Sequence, residues 1–241
     1  MTMSAENKST KFMHHARTPR AAAIAGILFG ILFSYCIVLV QLAVPANPGD
    51  LKDWTDADRR TISLAMELIP LAGLTFLWFM GVVRDRLGDF EDQFFSEVFQ
   101  GSGLLFLGMT FSAFAVGAGM LAAYHIGGDE IITIDLYQFG RLIMSEMFTT
   151  YALKMASVFM FSLSTLWLQT GVMPRWLCFL TYAMAILMFV STSISLWMIL
   201  FFPAWVFFIS VYVLILSIRQ KSLGGTDGMT PNIGRTKIEQ V

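Results

Sequence analysis

Charge is what this chain has least of. Lys, Arg, Asp and Glu make up 14% of its 241 residues, against about 25% in an average soluble domain. The shortage is concentrated in long runs. No charged side chain falls between Ala21 and Pro48, between Val98 and Tyr124, or between Trp176 and Ile218, and only Glu67 falls between Thr61 and Val83. Cysteine is scarce too. Cys36 and Cys178 both sit inside apolar runs, which excludes a secreted disulfide framework and leaves two thiols that behave as small hydrophobes. The 3 histidines offer no facing pair on neighbouring helices of the kind haem b needs. There is no phosphate loop, no HExxH and no GxSxG, so an enzyme is the least supported class and no cofactor or metal is expected. The net charge of -1 gives no basic footprint, which argues against nucleic acid as a partner.

What remains is hydrophobic: 56% of the residues, with a mean hydropathy of +0.66. Apolar runs of roughly 18 or more residues are candidates for membrane-spanning helices. A soluble bundle would need a polar stripe on each helix, and most of these runs have none. The first run is too long for the roughly 7–15-residue core of a signal peptide, so it reads as a retained span. Helices are expected over about residues 21–44, 60–83, 95–124 and 141–171. The uncharged stretch from Trp176 to Ile218 would run roughly 65 Å as one helix, twice the roughly 30 Å hydrocarbon core. It must fold back, with the turn expected between Ser195 and Pro203. The expectation is therefore an all-α, polytopic membrane bundle of six transmembrane helices over residues 21–218, with a basic arm at 1–20 and a flexible tail at 219–241.

Orientation follows from Lys and Arg in the loops. Eleven lie on the side of both termini (Lys8, Lys11, Arg17, Arg20, Arg84, Arg86, Arg175, Arg219, Lys221, Arg235 and Lys237) and four on the other (Lys52, Arg59, Arg60 and Arg141). The bias puts both termini in the cytoplasm. The second helix leaves the membrane through "LWFMGVVRDRL" and the fourth through "LWLQTGVMPRWL". This could be the trace of a duplicated hairpin, but Trp, Gly and Arg are what any helix carries at that interface.

Small residues recur at packing spacing. Gly26 and Gly30 form a GxxxG on the first helix, and Ala113/Gly117 and Ala115/Gly119 repeat the theme on the third. Such spacing lets backbones approach in lipid, either between copies or partners, or within one monomer.

Three charges lie inside the apolar runs: Glu67, Glu146 and Lys154. In "TTYALKMASVFMF", Lys154 lies roughly 20 Å below Arg141 along a helix, too deep for easy escape. At 100° per residue Glu146, Thr150, Lys154, Ser157 and Ser164 share an arc, with Tyr151 at its flank. Intramembrane charges face the bundle interior, pair with each other, or mark a pathway. Lys154 should therefore pair with Glu146 or with Glu67. A structural clamp and a proton- or ion-handling site both explain such a set. Pro70 should kink the second helix beside Glu67. His125, Asp129, Glu130 and Asp135 share a loop without a ligand spacing, and a solvated acidic loop is the simpler reading.

At "GVVRDRLGDFEDQFF…GSGLLFLGM" and "TGVMPRW" the chain resembles an uncharacterised family of small polytopic bacterial integral membrane proteins, over most of residues 20–218. The resemblance implies the cytoplasmic (inner) membrane of a bacterium and carries no site residue with it. Two functions stay open. One is a small carrier or channel with a carboxylate/lysine site between the second and fourth helices. The other is a non-catalytic subunit or assembly factor that holds a membrane partner, or a second copy, through glycine faces.

Overall fold

The computed structural model describes residues 19–43, 56–87, 93–127, 134–190 and 196–224. The basic arm up to residue 18 and the tail beyond 224 lie outside the described residues, as do Asp129 and Glu130. All regular structure among the described residues is helical. α1 is Pro19–Ala43, α2 Asp56–Leu87, α3 Gln93–Gly127 and α4 Ile134–Glu146. A π-helical segment, Met147–Ala152, joins α4 to α5, Leu153–Thr170. α6 is Arg175–Val190; a 3₁₀ turn at Leu196–Leu200 leads into α7, Phe201–Gly224. Five helical stretches are long and apolar enough to cross a membrane, and α6 is a shorter apolar helix.

Local chemistry sets the ends. Pro19 opens α1, where its missing N–H and fixed φ are tolerated. α5 stops at Gly171, whose φ of +64° suits a residue without Cβ, and whose N–H closes onto the Trp167 carbonyl at 3.0 Å. The last two helices part between Val190 and Phe201. Pro203 lies in the first turn of α7 instead of in the reversal, because a helix's first turn needs no N–H there.

Several helices outrun the apolar runs that foretell them. α2 has 32 residues and α3 has 35, or roughly 48 and 52 Å. Nothing in Asp56–Arg59 breaks a helix, so helical hydrogen bonding carries on past the hydrophobic segment. Where these extensions meet, Ala43, Ile62 and Leu121 form a small satellite core with Met66 against it. Gly140 of α4 lies against Met120.

α1 packs between α2 and α7, α3 between α2 and the α4–π–α5 helix, and α6 against α5. The centre is filled with phenylalanine. Phe29 and Phe33 come from α1, Phe76 from α2, Phe106 from α3, Phe159 from α5 and Phe202 from α7, and all are essentially fully buried. Ring centroids lie 4.7 Å apart for Phe29 and Phe76, 4.7 Å for Phe106 and Phe202 and 5.3 Å for Phe76 and Phe159. Most of these pairs are tilted or edge-on, the arrangements the ring quadrupole favours by about 0.5–1.5 kcal/mol each. Gly26 and Gly30 let α7 close on α1. A Cβ at Gly30 would stand 2.7 Å from Phe207 Cβ and 3.0 Å from the Pro203 carbonyl oxygen, and one at Gly26 would strike Ser210.

Phe76→Ala is expected to lower the stability of the detergent-solubilised protein by about 3–5 kcal/mol, while Phe208→Ala, on an exposed ring, stays within about 0.5 kcal/mol. Equal losses in thermal unfolding would contradict the aromatic core. Gly30→Ala should cost about 1–3 kcal/mol through overpacking, and an unchanged midpoint would contradict the α1–α7 approach.

Candidate functional site

The polar residues of the α4–π–α5 helix are arranged by its π segment. Leu153 N–H bonds back to the Phe148 carbonyl, five residues away, where an α-helix would use four. One π turn holds one extra residue, so everything after it lags the α-helical phase by about one position, roughly 100°. A uniform 100° per residue therefore misplaces the stripe.

Before and within the π segment the stripe faces outward. Glu146 is exposed and accepts a hydrogen bond from Thr150 Oγ1 at 2.7 Å. Tyr151 is 55% exposed. Lys154 is half-buried. Beyond it the stripe turns inward: Ser157 and Ser164 are buried. Ser157 Oγ donates to the Leu153 carbonyl at 2.8 Å. Ser164 Oγ donates across to the Cys178 carbonyl at 2.8 Å and ties α5 to α6. The one arc expected from the sequence is two groups with different environments.

The expected ion pair is not formed. Among the described residues no carboxylate lies within 4.0 Å of the Lys154 amine. Glu67 is exposed on α2, which packs mainly on α1, while the α4–π–α5 helix packs on α3 and α6. Pro70 is exposed as well, so it does not line the interior beside Glu67.

Depth changes the reading of the lysine. The depths are counted from the Gly171 reversal, which Arg175 follows, taken as one edge of the hydrocarbon core. From Thr170, Lys154 stands roughly 24 Å up the helix and Glu146 roughly 36 Å. Glu67 stands roughly 25 Å from Arg84. Against a core of roughly 30 Å, Glu146 lies outside it, and Lys154 and Glu67 lie near its far edge, within reach of snorkelling. Arg141 is a poor depth marker because it belongs to α4, an amphipathic helix beginning at Ile134.

The packing residues divide. Gly26, Gly30 and Ala113 are buried, and Gly117 lies against Met66 and Met144. Gly119 is exposed, with nothing within 4 Å of where a Cβ would stand; Gly101 and Gly108 share that openness. Two cavities stand out among the described residues, and neither touches Glu67, Glu146 or Lys154. One, of about 30 Å³, lies beside Ser210, Trp167 and Val83. The other, of about 240 Å³, is a lateral groove between α5 and α6 lined by Ser157, Val158, Phe161, Ala185, Ile186 and Phe189.

Periodicity alone also leaves out a polar ladder joining the last three helices. Thr165 Oγ1 and the Tyr182 hydroxyl lie 2.7 Å apart. Thr181 Oγ1 donates to the Leu177 carbonyl and accepts from Trp205 Nε1 at 3.2 Å. In a run with no charges, Ser, Thr, Tyr and Trp at buried positions are the signal for such ties.

Lys154→Met is expected to leave the thermal midpoint unchanged or raise it. A loss near the roughly 3–5 kcal/mol typical of breaking a buried pair would mean that the lysine is paired after all. Ser164→Ala should cost about 1 kcal/mol. No protein-family model, curated protein or solved structure matches this chain.

Proposed function

We propose that this chain is a non-catalytic integral membrane subunit that docks a second transmembrane helix on the outward face of α3. The observation that carries the reading is that face itself. Gly101, Gly108, Ser112, Ala115 and Gly119 fall within a narrow arc at 100° per residue. Ser112, Ala115 and Gly119 are exposed, and open space surrounds the three glycines. Gly108/Ser112 and Ala115/Gly119 keep the four-residue spacing that lets two backbones approach in lipid. Glycine lowers helix propensity, and among the described residues nothing comes within 4 Å of where a Cβ on these glycines would stand. A partner helix gives them a use.

The wider setting belongs to the same proposal: six crossings with α6 as the short one, both termini in the cytoplasm by the eleven-to-four bias of Lys and Arg, and the inner membrane of a bacterium by the family resemblance. The carrier reading keeps one observation in its favour, the π segment beside Glu146, Thr150 and Lys154, because such segments recur at functional sites. Against it stand the phenylalanine-filled centre and the outward-facing Glu67.

A Ser112→Cys variant in native membranes tests the docking face. Cys36 and Cys178 are buried and compete little for oxidant. Mild oxidation is expected to trap a disulfide adduct, either a dimer of the chain or a heavier heterologous species. Adding Gly108→Leu should abolish the adduct without lowering the thermal midpoint. No adduct, or one indifferent to Gly108→Leu, would sink the reading.

A further inference from the structure

We infer that the groove between α5 and α6 binds an anionic phospholipid, with one acyl chain lying in the groove and the phosphate on Lys154. This stands independently of the α3 docking face, on a different surface of the bundle. From Leu153 onward α5 is regular α-helix. Ser157, Val158 and Phe161 follow Lys154 by three, four and seven positions, so all four side chains lie along one face. Lys154 thus stands one turn above a groove of about 240 Å³, which follows α5 for roughly 6 Å.

The walls suit a hydrocarbon chain. Phe161, Ile186 and Phe189 are exposed laterally. The Ser157 hydroxyl, the polar group among the lining side chains, is already donated to the Leu153 carbonyl, so it presents little demand of its own. Lys154 puts a cation one turn beyond the head of the groove. A lysine near the hydrocarbon edge calls for an anion, and among the described residues no carboxylate comes within 4.0 Å of this one. A lipid phosphate supplies that anion at the right level, because Lys154 stands roughly 24 Å above Thr170 in a core of roughly 30 Å. The groove lies on the slab side of the lysine, the direction in which an acyl chain leaves its headgroup. A lipid with net negative charge is preferred over a zwitterionic one, whose own ammonium competes for the phosphate.

The test is native mass spectrometry of the full chain, released from detergent after equilibration with equal amounts of phosphatidylglycerol and phosphatidylcholine carrying the same acyl chains. Wild type should retain phosphatidylglycerol over phosphatidylcholine by about fivefold, equivalent to about 1 kcal/mol. Lys154→Met should bring that ratio to about one, and Lys154→Arg should keep it. Ile186→Trp, from an exposed position on one wall, or Val158→Trp, from the other, should remove the bound lipid whatever its headgroup. The inference is overturned by a wild type without preference, by a Lys154→Met protein that keeps it, or by folded groove variants that retain lipid as wild type does.

Discussion

Phe29 meets Phe33, Phe76, Phe106 and Phe202 at ring-centroid distances from 4.7 to 6.5 Å, and through them it touches α2, α3 and α7 at once. In lipid there is no water to drive these helices together, and helix contacts must be worth more than contacts with acyl chains. Large flat rings do this because they replace loose hydrocarbon with dense, oriented contacts. They reach across only because the backbones come close enough. Gly26 and Gly30 set that distance between α1 and α7, and Gly103, against Met80 and Phe159, sets it for α3. The aromatic plug and the glycines are one device seen from two sides.

That device also explains what lies at the edge. With the centre filled by rings, polar side chains have few places to go. Glu146 and Tyr151 end up outside, Ser164 and Thr165 turn to a carbonyl and a hydroxyl of α6, and Thr181 accepts the indole N–H of Trp205 on α7. The π segment permits both. Its extra residue lets α4 keep Gly140 against Met120 while α5 keeps Phe159 in the plug. An unbroken α-helix could satisfy only one of those phases.

The helical class and the approximate places of the long apolar helices were legible in the sequence, because uncharged runs report directly on the cost of placing charge in hydrocarbon. The sequence singled out Gly26 and Gly30 by their spacing, but not the helix they meet, which is α7. The phenylalanine plug was not legible. Rings face both the centre and the lateral surface, as Phe202 and Phe208 do on one helix, and a helix apolar all round has no periodic signal to separate them. The Lys154 environment was misread for a different reason. A π turn leaves no mark in composition, and its one-residue lag turned a split stripe into an apparently continuous one.

The short α6 has a mechanical consequence. Its 16 residues rise roughly 24 Å, about 6 Å less than an average hydrocarbon core, while its neighbour α5 runs on through the π segment into α4. On the proposal that α6 is one of six crossings, lipid beside its described residues meets a lower wall than lipid beside α3. Such mismatch is relieved by local thinning of the leaflet, at fractions of a kcal/mol per Å. The bundle would then act on its bilayer asymmetrically, drawing headgroups inward along one flank. Its position in a membrane of uneven thickness would be set by that flank as much as by any partner.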